Sequence, residues 1–193
     1  MTKEKSKVKI IPLGGLDEIG KNMTAFEYED EIIIVDCGVA FPEDDMLGVD
    51  LVIPDITYLI KNAEKVKGFL FTHGHEDHIG AVPYVLREVN APIYATKLTM
   101  GLIQNKLKEH DLDNKVKKHV INPGKSVNFK NFKVEFIRTN HSIADSVALA
   151  IHTPCGVIVH TGDFKVDFTP VGDAEPIDLT KFAELGKEGV HGL

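Results

Sequence analysis

The sequence predicts a mixed α/β (α+β) fold with helices packed outside sheets, and three observations predict it. Short apolar or alternating runs of strand length recur along the chain. Two segments between them carry apolar residues at helical spacing, and 43% of the residues are hydrophobic against 26% charged. Strands in series with interposed helices bury their apolar faces by layering helices on sheets. A length of 193 residues suffices for one domain with a sizeable core, or for part of a larger one.

Residues 1–7 are polar and lysine-rich and read as a flexible N-terminal tail, with residues 8–193 as the structured region. Val8–Leu13 is an apolar run ending at Gly14-Gly15 and reads as a strand. Met23–Tyr28 and Glu31–Asp36 flank the polar turn Glu29-Asp30 and read as a hairpin. Ile32–Val35 is continuously apolar, which predicts burial on both faces. Phe41–Pro54 is an acidic loop, Ile56–Lys61 a short helix, and Lys67–Thr72 a strand. Ile79–Val89 has helical apolar spacing, with Pro83 tolerable only in a first turn. After a short strand at Pro92–Ala95, Thr96 caps a helix through about His110, whose expected buried stripe is Leu98, Leu102, Ile103 and Leu107. Strands then dominate: Val116–Ile121, Phe132–Ile137, Ser146–His152 and Val157–His160. Phe182–Leu193 starts as a helix and stops with no closing element, so the chain reads as interrupted there.

Composition excludes several classes. No apolar run approaches membrane-spanning length, and Met1–Lys9 has no apolar region behind it, which predicts a cytoplasmic protein with no membrane partner. Cys37 and Cys155 are far apart and in no CxxC pairing, so neither a disulfide framework nor a cysteine zinc site is expected. A net charge of −7 speaks against a nucleic-acid-binding domain. That objection weakens if acids bind divalent cations, because the metals reverse the local sign.

The strongest signal is His73-Gly74-His75-Glu76-Asp77-His78, which sets three imidazoles and a carboxylate directly behind a buried strand. In extended backbone His73 and His75 point the same way, while Asp77 and His78 turn toward a second position. Gly74 is expected to let the backbone pass close to the ions. One tetrahedral site cannot use so many ligands from so tight a loop, whereas two adjacent sites can. The bland alternative, a solvated loop at a helix start, does not account for such a density of imidazoles. His141 and Asp163 each follow an apolar strand and, beside this cluster, become the expected completing ligands. A carboxylate such as Asp163 can bridge two cations about 3.5–4 Å apart. Asp36 ends a buried strand and suits a role in holding the histidine loop by hydrogen bonds, a turn aspartate being the equal alternative. Gly14–Gly20 lacks both GxGxxG spacing and a P-loop Lys-Ser/Thr and reads as a glycine-shaped turn. His110 and His119 read as exposed, His152 as equally packing or functional, and His160 as packing with a role beside Asp163 as the alternative, while His191 carries no reading. Glu43, Asp44, Asp45 and Asp50 read as a solvated loop, with a calcium-like site as the alternative.

Thr72-His73-Gly74-His75-Glu76-Asp77-His78-Ile79-Gly80 resembles the HxHxDH signature of the metallo-β-lactamase superfamily. Other stretches resemble ribonuclease J within its β-CASP family: Leu13–Asn22, Phe41–Asp44, Asp50–Asp55, His141–Ser146 and His160–Lys165. The resemblance runs from about Val8 to the end, as an N-terminal fragment. It implies an αββα sandwich, here incomplete at the C-terminus, in which residues 8–193 are the N-terminal part of the metallo-β-lactamase domain and the β-CASP domain is absent. It also implies two divalent ions, zinc or else manganese: His73, His75 and His141 on one, Asp77 and His78 on the other, Asp163 bridging. Asp77 would orient or deprotonate the attacking water. The implied activity is endonucleolytic and 5′-to-3′ exonucleolytic hydrolysis of RNA by water activated at the two metals, in mRNA decay and rRNA maturation. An oligomer is implied too, with copies of itself or with a paralogue. Two rivals stand beside it: a thioester or ester hydrolase on the same fold, which the signature alone permits, and a non-catalytic RNA-binding paralogue, which should have lost ligands that this chain retains.

Overall fold

A computed structural model of the chain describes residues 6–172 and 174–193. The first five residues of the expected tail therefore lie outside the described residues, while Ser6 and Lys7 are exposed and belong to no element.

The first sheet starts as a meander. Strands β1 (Lys9–Gly14), β2 (Met23–Tyr28) and β3 (Glu31–Val35) pair antiparallel, with Tyr28 opposite Glu31 across the expected tight turn. Every residue of Ile32–Val35 is 0% exposed, as continuous apolarity predicts for a central strand. The sheet continues in parallel with β4 (Val66–Leu70), β5 (Ile93–Ala95) and β6 (Lys118–Val120). Parallel neighbours need crossovers. These carry α1 (Thr57–Lys61), α2 (Glu76–Ile79), α3 (Val82–Glu88) and α4 (Lys97–Glu109).

The second sheet has the order β11-β10-β9-β8-β7, from β7 (Ser126–Asn128), β8 (Lys133–Arg138), β9 (Val147–Thr153), β10 (Gly156–His160) and β11 (Val190–Gly192). All neighbours are antiparallel except β10 and β11. Helix α5 (Leu179–Glu188) lies outside it.

Three apolar clusters define the layers. Ile32, Ile34 and Phe69 pack with Val82, Val85, Ile103 and Leu107 of the helices. The alternate residues Ile33, Val35 and Leu70 face Val134, Phe136, Leu149 and Ile151 across the space between the sheets. Ala148, Ala150 and Val159, on the far face of the second sheet, meet Leu185 and Phe182 of α5. Successive strand residues thus serve opposite layers, which is the period-two rule applied to an αββα sandwich.

Several local expectations need correction. The single helix expected at Ile79–Val89 is two, because Pro83 cannot sit in a helix interior and marks a new start, at the first turn of α3. The buried face of α4 is Thr99, Met100, Ile103 and Leu107, with Leu98 39% exposed and Leu102 only partly buried. Thr96 does precede α4, but its hydroxyl donates to Asp145 O (2.9 Å), and the Asp145 carboxylate accepts from Leu98 N (3.0 Å). The helix start is therefore satisfied by a loop far away in sequence. Helix α5 begins at Leu179, where Asp178 accepts a bond from Lys181 N (3.0 Å), and residues 190–192 close onto β10 rather than trailing free. Strands β7 and β11 escaped sequence reading because Ser126–Asn128 and Val190–Gly192 each carry a single apolar residue, too few to show a strand pattern. No helix of the described residues is long and apolar enough to cross a membrane.

Candidate metal centre

Strands β3 and β4 run parallel, so both end at one edge of the sandwich. Beyond β3 the backbone turns at Asp36, in the left-handed region at φ +59°, and buries its carboxylate at 1% exposure. That carboxylate takes three bonds of 2.8 Å: from Thr72 N, Thr72 Oγ1 and His78 Nδ1. Asp36 thereby fixes the residue before His73 and the last histidine of the motif together. Because a carboxylate only accepts, Nδ1 of His78 carries a proton, and Nε2 is the ring nitrogen that faces the other side chains of the site.

Residues 36–39 and 76–78 are laced together as well. Cys37 N donates to His78 O (2.7 Å), Val39 N to Glu76 O (3.1 Å) and Asn22 N to Asp77 O (3.1 Å). The approach is so close at Gly38 that a Cβ there would lie 1.6 Å from Asp77 O. Gly74 also has a part in packing. Its missing Cβ makes room for Leu102 Cδ1, 2.5 Å away, so it serves packing on α4.

Within this frame the imidazoles converge. His73 Nε2 lies 3.1 Å from His75 Nδ1, and ring centroids are 4.1 Å apart for His73–His78 and 4.9 Å for both His73–His141 and His75–His141. Donor atoms of His73, His75 and His141 all lie within 4.8 Å of one another, and so do those of His73, His78 and Asp163. Asp163 reaches between the groups: Oδ1 is 3.7 Å from His78 Nε2 and Oδ2 is 3.6 Å from His141 Nε2. Asp77 stands beside the second group, its Oδ2 3.5 Å from His78 Nε2.

The electrostatics of His73 and His141 suit cation binding. Burial, followed by repulsion from His78, lowers the His73 pKa to about 4, so its ring is neutral near pH 7. Burial also lowers His141. For His78 burial opposes charge but is outweighed by the Asp36 carboxylate, and its pKa is raised. Asp36 is correspondingly held low, the His78 charge outweighing its own burial. Imidazole nitrogens facing one another at 3.1 Å can share one proton or a metal ion. Two overlapping groups of three donors, sharing His73 and the second including the Asp163 carboxylate, are the N/O set that divalent transition ions take, so the residues present fit a two-metal centre.

Sequence reading missed Asn22. Its Nδ2 lies 3.1 Å from Asp77 O, 3.3 Å from Asp77 Oδ2 and 3.2 Å from His78 Nε2. Nothing in its local pattern announces this, because its partners are more than fifty residues away. Together with Gly14, Gly15, Asp36, His78 and Asp163 it lines a cavity of about 280 Å³, which puts the Gly14–Gly20 turn beside the site. Asn140 was missed too. Its side chain donates to Glu175 O (3.0 Å) and accepts from Ile177 N (2.8 Å), pinning the chain that follows Asp163 against the residue before His141. Among the other histidines, His160 Nδ1 accepts from Gly162 N (3.2 Å) on the approach to Asp163, and His110 meets Arg87 (3.1 Å) at the surface. Glu43, Asp44, Asp45 and Asp50 are all exposed.

The family model described as the metallo-beta-lactamase superfamily matches residues 16–184. Ribonuclease J 1 of Streptococcus pyogenes is 53% identical over 96% of this chain and 33% of its own length, and Ribonuclease J of Synechocystis is 54% identical over 95% and 29%. The chain thus spans about a third of the curated relatives it matches. Among solved structures, the metallo-beta-lactamase fold protein YhfI of Bacillus subtilis aligns with a TM-score of 0.58 at 20% identity, over 82% of this chain and 63% of that one. That likeness shows the fold. The chain belongs to the metallo-β-lactamase superfamily, and ribonuclease J sequences are among its relatives at about half identity.

Proposed function

We propose that the chain is the N-terminal part of the metallo-β-lactamase domain of a cytoplasmic, ribonuclease J-type enzyme that hydrolyses RNA phosphodiesters, both endonucleolytically and 5′-to-3′. The observation that supports it most is Asp163, whose two oxygens face different histidine groups. His73, His75 and His141 would hold one ion, Asp77 and His78 the other, with Asp163 shared. The ions would be zinc, with manganese as the alternative that a His/Asp donor set also accepts. Ions held there would supply water of lowered pKa and electrostatic stabilisation of the charge that develops during hydrolysis.

The chain's own residues do the rest. Asp77 orients the attacking water and accepts its proton. Asn22 steadies Asp77 through its Nδ2 contacts, and Asp36 keeps His78 in one tautomer. Cleavage leaves a 5′-phosphate and a 3′-hydroxyl. The relatives named ribonuclease J support RNA as the substrate. The role in mRNA decay and rRNA maturation, and assembly with copies or a paralogue, go with the same reading.

The test is cleavage of end-labelled 5′-monophosphorylated RNA by the full-length parent with added zinc or manganese, beside Asp77→Ala. Metal-dependent shortening lost in the variant is expected. Intact RNA despite bound metal, with turnover of a thioester instead, would overturn the reading.

A further inference from the structure

Between Asn114 and Val134 the chain carries six lysines and no acidic residue, although the whole molecule has a net charge of −7. This stretch forms β6 and β7 and the linker between them. Each is the terminal strand of its sheet, so the segment makes one open flank of the sandwich. The flank begins at the metal centre: Pro123 lines a cavity of about 620 Å³ that also takes in His141 and Ser142. From there it leads away, since Gly124 N bonds Phe136 O within β8 and Phe129 N bonds Phe132 O just before that strand begins. At strand rise the distance covered is roughly 17 Å.

Aromatic rings sit along this path. The His119 ring stacks on Tyr94 at 4.8 Å and 12°, and Phe129 meets Tyr94 edge-on at 5.6 Å. Gly68 leaves room for the Tyr94 ring, as a Cβ there would come within 2.8 Å of Cε2. Tyr94 is half-buried and His119 exposed, which leaves the outer imidazole face open. Lys118 and Lys130 are engaged by Asp113 and Asp30. Lys117 and Lys125 have no carboxylate partner among the described residues, and Lys117 shares the strand face of His119.

Unpaired cations beside a stacking surface are the two parts of a single-strand binding track: the cations meet phosphates, and any base can stack. We propose that this flank carries the single-stranded RNA adjoining the scissile bond, past Pro123 and Lys125, with a base on the outer face of His119 and phosphate near Lys117. The proposal rests on the nuclease reading. Edge lysines also guard sheets against strand addition, and the two roles predict different results.

The experiment uses the full-length parent in an Asp77→Ala background, so that RNA stays whole, and compares binding of a long unstructured RNA with that of a trinucleotide. His119→Ala should cut the preference for the long RNA about tenfold, and His119→Phe should restore it. Lys117→Ala with Lys125→Ala should reduce the slope of log affinity against log salt by roughly 1.4, whereas Lys187→Ala on α5 should leave it. An unchanged preference and slope overturn the track. So does a lysine variant that only self-associates, which would make these lysines edge guards. A parent with Asp77 intact that neither binds nor cleaves either RNA would instead remove the nuclease reading itself.

Discussion

Asp36 Oδ2 and His78 Nδ1 lie 2.8 Å apart with both side chains buried, and the same carboxylate oxygen also takes the Thr72 hydroxyl. One residue at the end of β3 therefore sets the orientation of an imidazole forty-two positions later. A buried pair of this kind costs desolvation and returns it only while intact. Removing the carboxylate should do more than remove a contact.

Asp36→Ala leaves Thr72 N, Thr72 Oγ1 and His78 Nδ1 without their acceptor. We expect a loss of about 3–5 kcal/mol in denaturant unfolding of the parent protein. Zinc affinity should fall about 10–100-fold. A variant that unfolds at the wild-type midpoint and keeps its metal would show that Asp36 is a turn residue only.

Asn22 is half-buried and touches Asp77 and His78 rather than the core. Asn22→Ala is expected to weaken metal retention or turnover about 10–100-fold while costing only about 1 kcal/mol of stability. Metal content per chain after dialysis, read beside a thermal melt, separates the two effects. Equal losses in both would deny it a positioning role.

Glu27 is 3% exposed and accepts from Lys65 Nζ (3.0 Å), Lys9 Nζ (3.1 Å) and the Tyr58 hydroxyl. Burial pushes its pKa up, but these donors outweigh burial and the pKa is lowered, while the Tyr58 pKa is raised to about 12 by the bond to Glu27. A carboxyl whose folded pKa is depressed contributes stability above its unfolded value, near 4.3. That contribution is lost as pH falls through the lower folded value. Glu27→Gln should therefore unfold more easily at neutral pH yet show a shallower loss of stability on acidification below about pH 4.3. Parallel acid limbs for the two proteins would contradict this.

Gly38 and Gly101 make opposite predictions for the same substitution. A Cβ on Gly38 collides with Asp77 O, so Gly38→Ala must separate residues 36–39 from the histidine motif and should cost more than about 3 kcal/mol, with metal binding lost. Gly101 lies within α4 with open space, nothing within 4 Å, where a Cβ would sit, and Gly101→Ala should stabilise by about 0.5–1 kcal/mol. Calorimetric melts of both variants check the pair.

Much of the fold was legible because its signals are local. The hairpin of β2 and β3, the buried run Ile32–Val35 and the strand feeding His73 follow from apolar runs and turn residues within a few positions. The face of α4 was misread because Leu98 and Leu102 fit a helical stripe as well as Met100 does, and packing against the sheet chose between them. The three-residue strands β7 and β11 give no periodic signal, whereas β6 lies within the longer stretch Val116–Ile121 that reads as a strand.

The site divides along the same line. By itself the sequence determined that His73, His75, Asp77 and His78 stand together behind a strand, since six consecutive residues cannot separate. Only the tertiary structure decided that His141 and Asp163 arrive beside them, that Asp163 faces both histidine groups, and that Asn22 and Asp36 hold them. The reason is physical: these residues are brought together by the pairing of strands and the packing of two sheets, over separations at which local spacing carries no information.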